Sequence, residues 1–279
     1  MRIDQALLSA RTRLADASFR PALREANLLL ARTLECSEAQ LLARGRDNLD
    51  DSRLARFQEL LDRRLAGEPI AYILGEKEFF GRAFFVDRRV LIPRPETEHL
   101  IEVALDLRLP AAPRILDIGT GSGCLAITLL AQLPRSRAVA TDVSLAALRV
   151  AERNAGRYNV KGRLDLVAAD LASAIDLVGF QLVVSNPPYI GRDEVSLLSP
   201  EITDFEPDAA LFASPSGHSL LERLLDTLSD LRSGTPLLLE IGAGQAELLA
   251  EAAESSAFIL EALHPDLAGI ERIAQLRRH

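Results

Sequence analysis

The segment Ser185-Asn186-Pro187-Pro188-Tyr189 follows directly on the apolar run Leu182-Val183-Val184. Consecutive prolines fix two φ angles and remove two N–H donors. Their carbonyls remain as acceptors, and Asn186 adds a side-chain carbonyl. Tyr189 supplies a flat face. Acceptors gathered beside an aromatic ring suit an NH2 group on a planar substrate. An amide or exocyclic amine nitrogen is a poor nucleophile, because its lone pair is delocalised into the π system. Holding both N–H bonds aims that lone pair and stabilises the positive charge that grows on nitrogen during alkylation. Positioning of this kind supplies at best about 7–11 kcal/mol, and preorganised dipoles add to it. The chemistry requires no metal, nucleophilic cysteine or triad. A rigid strand-to-loop turn is the structural alternative.

A second constellation supplies the electrophile. Arg114-Ile115-Leu116-Asp117-Ile118 reads as a short buried strand and runs into Gly119-Thr120-Gly121-Ser122-Gly123. Glycines at alternate positions permit a tight turn and close approach of backbone to ligand. The end of the first strand is where open α/β sheets bind ligands. The spacing is not G-x-G-x-x-G, which disfavours a dinucleotide, and no G-K-[ST] follows, which excludes a P-loop. Asp117 would repel a pyrophosphate but attract the ammonium of a methionine moiety. Asp142, at the end of the next strand, is placed to accept from both ribose hydroxyls. Asp170, at the end of the third, either accepts from the adenine amino group or is a solvated charge. The set points to S-adenosyl-L-methionine as cofactor.

Composition narrows the class of protein. The 279 residues suffice for one large domain or a large and a small one. No apolar run approaches the length of a membrane span, and Met1 to Arg20 has no continuous apolar core, so neither a signal nor a transit peptide is expected. Two cysteines, Cys36 and Cys124, fit a reducing cytosol. The four histidines show no metal-ligand spacing, so no metal site is expected. The net charge is -8; residues 1–75 hold 12 arginines against 11 acidic residues, leaving 20 basic and 29 acidic residues for the remainder. Proteins that grip duplex nucleic acid usually carry a basic surplus, and this chain does not.

These residues need a scaffold. Leucines recur at helical intervals through residues 1 to about 75, and a further helix spans Asp51 to Ala66 before Gly67-Glu68-Pro69. Phe79, Phe80, Phe84, Phe85 and Val86 flank Gly81-Arg82, the pattern of a short β-hairpin. Pro95 followed by Glu96 and Glu98 marks a helix start running to about Leu107. Arg94, Glu96, Thr97 and Glu98 either close over the site or simply begin that helix. Strands at 114–118, 137–141, 164–168, 181–185 and 236–241 alternate with helices, among them one from Leu221 to Leu231. This predicts an α/β fold with a mostly parallel sheet. The strands at 258–263 and 270–276 have no helix between them and form an antiparallel edge. Cys124 reads as packing, His218 as a loop residue, and Phe212 to Gly217 as a lid edge or plain loop.

The glycine loop with Asn-Pro-Pro-Tyr resembles the class I methyltransferases that act on amide or adenine nitrogens. It is closer to the bacterial release factor glutamine methyltransferases. Gly67-Glu68-Pro69-Ile70, Leu91 through Glu98, Phe205-Glu206-Pro207 and Asp266 through Arg272 extend the likeness over nearly the whole chain. The resemblance implies a helical N-terminal domain at 1–75 that docks a release factor, a linking β-hairpin at 76–93, and a Rossmann-like methyltransferase domain at 94–279 with a seven-stranded sheet. It implies a cytoplasmic, monomeric enzyme with no membrane and no direct nucleic-acid partner, methylating the glutamine of a Gly-Gly-Gln loop. By this resemblance Asn186 binds the glutamine amide as the catalytic residue and also faces the cofactor. Pro187, Pro188 and Tyr189 complete the substrate site. Gly119, Thr120, Gly121, Ser122, Gly123, Asp142 and Leu171 line the cofactor site by the same resemblance, joined by Asp117 and Asp170 from the reading of the strand ends above. Some relatives carry tryptophan where this chain has Leu171, so only apolar contact with adenine is expected there. An adenine-amino DNA methyltransferase and a ribosomal-protein glutamine methyltransferase share the same catalytic half and stand as alternatives.

Overall fold

The computed structural model describes residues 1–191, 195, 198–212 and 217–279. The chain divides into two compact units: Met1–Glu76 with Pro200–Phe205, and Lys77–Ser199 with Glu206–His279.

The first unit is helical: α1 (Ile3–Asp16), α2 (Ala22–Leu34), α3 (Glu38–Ala43), α4 (Asp51–Leu65) and α5 (Ile70–Leu74), joined by the short α9 (Pro200–Thr203). Ser37 caps α3 by accepting from Gln40 N–H, and Asp50 caps α4 by accepting from Arg53 N–H. Leu14, Leu29, Leu30, Leu41, Phe57, Leu60 and Leu61 form the core. Leu8, Leu23 and Leu42 are exposed. Adjacent residues on a helix diverge by about 100°: Leu29 and Leu30 both fall within the wide buried face of α2, whereas on α1 Leu7 packs against the core and Leu8 turns out to solvent. Arg64 is buried; it donates twice to the Glu25 carboxylate, at 2.8 and 3.0 Å, and once to Glu201 at 3.1 Å. That ion cluster ties residues 200–205, which the sequence pattern assigns to the catalytic part, into the helical unit.

The second unit is a three-layered α/β sandwich. Its sheet contains β3 (Arg114–Ile118), β4 (Arg137–Asp142), β5 (Leu164–Ala168), β6 (Leu182–Ser185), β7 (Pro236–Glu240), β8 (Phe258–Pro265) and β9 (Glu271–Arg278), in the order β5-β4-β3-β6-β7-β9-β8. β3 to β7 pair in parallel, and β9 runs antiparallel to both β7 and β8. The antiparallel edge is therefore a hairpin whose reversed strand lies inside and whose last strand is β8.

Successive residues of the central strands face opposite layers. Ile115, Leu182, Val184 and Leu238 pack toward α6 (Pro95–Asp106) and α7 (Cys124–Gln132). Leu116, Val183, Leu237 and Leu239 pack toward α11 (Gly217–Thr227) and α12 (Ala246–Glu254). The helix expected from Leu221 begins earlier, so His218 lies in the first turn of α11 rather than in a loop. Residues 213–216 of the proposed lid edge lie outside the described residues.

The hairpin of β1 (Glu76–Phe79) and β2 (Arg82–Phe85) packs on the α6–α8 side, α8 being Leu145–Arg157. Asn154 of α8 is fully buried and exchanges hydrogen bonds with both backbone groups of Phe85, at 2.8 and 3.0 Å. Its Nδ2 also donates to Ser122 O at 2.8 Å. One side chain thus fixes the hairpin, α8 and the glycine loop together. Glu98, one of the residues after Pro95, accepts from Phe80 N–H at 3.0 Å and serves the hairpin.

Candidate active site

The parallel strands all deliver their C-terminal ends to one rim, the side on which open α/β sheets bind ligands. Gly119 and Thr120 N–H both donate to Thr141 O at 2.9 Å, which folds the loop back over β4. Gly121 N–H donates to Asp142 Oδ2 at 2.9 Å, and Ser144 N–H to Oδ1 at 2.8 Å. Burial raises the Asp142 carboxyl, and these two N–H donors oppose the rise.

The three loop glycines do different work. All have positive φ. A Cβ on Gly119 or Gly121 would meet nothing within 4 Å. At Gly123 it would strike Ile127 Cδ1 at 2.8 Å and Ala151 at 3.2 Å. The first two keep space open for a ligand; the third lets α7 and α8 pack.

That space is a cavity of about 280 Å³ lined by Gly119, Gly121, Asp142, Leu171, Asn186 and Pro188, together with Leu91, Val143, Asp170 and Phe212. A smaller cavity of about 40 Å³ adjoins the loop and includes Arg94, Thr97, Thr120, Ser122 and Cys124. Gly119, Gly121, Leu91 and Asn186 border both. The first combines the Asp142 carboxylate with apolar Leu171 and Val143, a lining that suits a nucleoside, and the second is bordered by the glycine loop. The residues present therefore fit S-adenosylmethionine. Asp170 is exposed and paired with Arg223 at 2.6 Å, so it lines the cavity as half of an ion pair. Leu171, at φ 55°, turns in the left-handed region beside it.

Asp117 is placed differently from expectation. It is fully buried beneath the loop, where its Oδ2 accepts from Thr120 Oγ1 at 2.6 Å and from Ala126 N–H at 3.2 Å. Burial pushes its carboxyl up to about 6. It braces the loop from below and offers no surface for direct contact with an ammonium group. Cys124 is a packing residue: burial pushes its thiol up to about 12, far from the thiolate a nucleophile needs.

At the neighbouring strand, Ser185 Oγ donates to Ile118 O at 2.8 Å, locking the end of β6 against the end of β3. Asn186 follows with its side chain half-buried, and its Nδ2 donates to Thr97 Oγ1 at 3.1 Å. With the amide NH2 committed to Thr97, the Asn186 carbonyl is left for a guest. Pro187 is buried, whereas Pro188 reaches the larger cavity. Tyr189 lies beyond the cavity lining, against Gly242: a Cβ at that glycine would come within 2.9 Å of Tyr189 Cδ2. Gln245 Nε2 donates to Tyr189 O at 2.7 Å, while Gln245 Oε1 accepts from Gly242 N–H at 2.9 Å. Burial first, then the charge of Glu240, pushes the Tyr189 phenol up to about 12.

The sequence reading missed several of these groups. Glu240 ends β7 almost wholly buried; burial raises its carboxyl to about 7, and a hydrogen bond from Thr97 opposes the rise. Glu206 accepts from Ile92 N–H at 3.0 Å and from Arg94 at 2.6 Å, and so holds the stretch before α6. Gly242 and Gln245 follow β7 in Glu240-Ile241-Gly242-Ala243-Gly244-Gln245. A carboxylate followed by alternating glycines at another strand end was the available signal. Among the described residues no group of three or more His, Cys, Asp or Glu side chains is placed to hold a metal ion, and no helix is long and apolar enough to cross a membrane.

Comparison with known proteins identifies the kin of both parts of the chain. Residues 5–75 match the family described as PrmC N-terminal domain, and residues 97–200 match the methyltransferase small domain. The chain is 42% identical to the release factor glutamine methyltransferase of Cereibacter sphaeroides, over 99% of each chain. It is 39% identical to that of Koribacter versatilis, over 100% of this chain and 99% of the relative. A bifunctional methyltransferase of Rickettsia prowazekii is 34% identical over 90% of this chain, which corresponds to 52% of that longer protein. Among solved structures, the hMettl16 catalytic domain in complex with an RNA hairpin superposes with TM-score 0.57 at 18% identity, covering 84% of each chain. A methyltransferase from Pyrococcus furiosus superposes with TM-score 0.52, also at 18% identity, covering 79% of this chain and 98% of that one. At that identity the structures establish the shared class I methyltransferase fold alone, whereas the full-length likenesses establish kinship: the chain belongs to the release factor glutamine methyltransferase family.

Proposed function

We propose that this protein transfers a methyl group from S-adenosylmethionine to the side-chain amide nitrogen of the glutamine in the Gly-Gly-Gln loop of a peptide chain release factor. The observation that carries the reading is Asn186: it borders both cavities beside the glycine loop, and its NH2 is already engaged by Thr97. Its carbonyl is the acceptor that an incoming amide N–H meets.

The bound cofactor supplies a methyl group activated by sulfonium. Everything else is done by the chain. Gly119 and Gly121 keep backbone close to the ligand, Asp142 accepts from the ribose, and Leu171 covers adenine. Asn186 Oδ1 takes one N–H of the glutamine amide, and a carbonyl of the Pro187-Pro188 pair takes the second. The nitrogen lone pair is then directed at the methyl carbon. The N–C bond forms as the S–C bond breaks, and the extra proton on nitrogen is lost to solvent. Acceptors fixed before the reaction stabilise the charge on nitrogen without reorganising. Tyr189, held against Gly242 and tied to Gln245 outside the cofactor cavity, is the flat face we assign to the plane of the guest. The helical unit recognises the body of the release factor. The acidic total and the absence of a basic surplus favour a protein acceptor over duplex DNA. We place the activity in the cytoplasm and in a monomer.

The test is incubation of the protein with cofactor and full-length release factor, followed by tandem mass spectrometry. The expected result is a single added methyl on the Gly-Gly-Gln peptide. Methyl transfer to duplex oligonucleotides, with none to release factor, would replace this reading with an adenine-amino activity; transfer to a ribosomal protein alone would move it to the other glutamine substrate.

A further inference from the structure

Asn186 does not orient itself. An amide side chain presents either its carbonyl or its NH2 to a guest, and the two are nearly the same shape. In the structure its Nδ2 meets Thr97 Oγ1 at 3.1 Å, Thr97 is buried in the first turn of α6, and the Thr97 hydroxyl lies beside the buried Glu240 carboxyl at the end of β7. The Glu240 Oε2 atom is buried with no hydrogen-bond partner, and the Thr97 hydroxyl is the neutral donor beside that carboxyl. A carboxylate only accepts. With the Thr97 hydroxyl hydrogen turned to Glu240, only oxygen lone pairs face Asn186, and Asn186 answers with its NH2, as its 3.1 Å contact to Thr97 Oγ1 has it.

We propose that Glu240 and Thr97 are positioning residues that fix the polarity of a buried chain, Asn186 to Thr97 to Glu240, so that the Asn186 carbonyl faces the substrate nitrogen. The inference rests on the methyl-transfer reading of Asn186 and deepens it. If Glu240 took up a proton, its hydroxyl would donate to Thr97 Oγ1. The Thr97 hydrogen would turn to Asn186, Asn186 would present its carbonyl to Thr97, and its NH2 would face the guest. Two NH2 groups would then confront each other, and the substrate amide would lose its acceptor. The charge of Glu240 is set within a group of neighbours: Arg94 and Glu96 at the start of α6, Arg272 on β9, Tyr189 after β6 and Cys124 at the start of α7. Arg94 and Arg272 favour the ionised form, and Glu96 opposes it. Burial brings the titration to about 7, so the ionised form that aims Asn186 gives way within an ordinary pH range.

Four proteins decide it: wild type, Thr97→Val, Thr97→Ser and Glu240→Gln, with Asn186→Ala as reference. Each is assayed for cofactor Kd, melting temperature, and kcat and KM for full-length release factor across pH. Thr97→Val is expected to lower kcat by roughly tenfold or more while the cofactor Kd stays within about threefold, and Thr97→Ser to recover most of that loss. Wild-type log kcat should fall on the acid side, and Glu240→Gln, which no longer titrates, should flatten that limb. A Thr97→Val protein with wild-type kcat overturns the proposal, as does a Glu240→Gln protein that keeps the wild-type acid limb. Should Thr97→Val fail to fold, Thr97→Ser and the pH profile of Glu240→Gln decide the matter. If wild type methylates no release factor, the functional reading falls and this inference with it. If wild type is active, Asn186→Ala is not, and Thr97→Val is unimpaired, this inference alone falls.

Discussion

The two halves of the proposed site are built in opposite ways. The cofactor half is mostly backbone: a loop of alternating glycines, folded onto Thr141 O and Asp142 and braced from below by Asp117. The substrate half is a convergence of side chains from distant parts of the chain: Thr97, Asn186, Tyr189, Glu240 and Gln245. A backbone cradle tolerates many ligands of one shape and sets affinity. A side-chain corner has a polarity, and a single proton can reverse it. Binding and chemistry should therefore separate under mutation.

The largest expected effect is on chemistry. Asn186→Ala removes a preorganised acceptor, which should lower kcat by roughly 10²–10³-fold and leave the cofactor Kd little changed. Parallel calorimetry with cofactor and turnover with release factor check this; equal losses in both would erase the distinction drawn between the halves.

Asp142→Ala should show the converse. Loss of a charged acceptor costs about 1.5–3 kcal/mol, on the order of a 10–100-fold weaker cofactor Kd at 1.4 kcal/mol per decade. Saturating cofactor should restore much of kcat. Because Asp142 also anchors Gly121 and Ser144 N–H, Asp142→Asn separates the loop anchor from the ligand contact, and it should fall between wild type and alanine in titration calorimetry.

The same contrast explains what was legible in the sequence. Glycines at 119, 121 and 123 with an acid at the next strand end announce themselves locally, since backbone geometry is written in consecutive residues. The alternation of strands and helices gave the parallel sheet for the same reason. Asn-Pro-Pro-Tyr was visible because prolines act on their own backbone. Thr97 read equally as a residue closing over the site or as the start of a helix, and Glu240 as the end of a strand, because their meaning arises only when α6 and β7 are packed side by side. Asn154 shows this most plainly: a polar residue in an amphipathic helix reads as surface, yet it is buried and joins Phe85 to Ser122. Asp117 is the converse case. Its place before the loop suggested ligand contact, but the strand carries it under the loop. In the helical unit, consecutive leucines overstated the apolar stripe, and the buried Arg64–Glu25–Glu201 cluster joins residues 137 apart in sequence.

The smallest effect is thermodynamic and distinguishes the halves by pH. The folded Glu240 carboxyl sits at about 7, above its ordinary value of 4.5. The native state then binds more protons than the unfolded state between those values, so stability decreases as pH rises through that window. Asp117, raised to about 6 from 3.8, acts in the same sense. The ligand-free protein should gain melting temperature on going from about pH 8 to about pH 5.5. Glu240→Gln should be more stable than wild type at the higher pH, by on the order of 2–4 °C for each kcal/mol relieved, and should keep only the part due to the other raised carboxyls, Asp117 and Asp142. Differential scanning calorimetry at the two pH values reads both. A Glu240→Gln protein less stable than wild type at the higher pH would place the carboxylate among stabilising groups.

The central claim concerns which end of Asn186 meets the substrate. The most direct measurement is a structure of the protein with S-adenosylhomocysteine and a glutamine-bearing Gly-Gly-Gln peptide at a pH above the Glu240 titration. The expected result has the glutamine Nε2 within hydrogen-bond reach of Asn186 Oδ1, Thr97 Oγ1 on Asn186 Nδ2, and the glutamine plane between Asn186 and the cofactor sulfur. A complex in which Asn186 turns its NH2 to the guest, or in which the glutamine amide lies elsewhere, would contradict it.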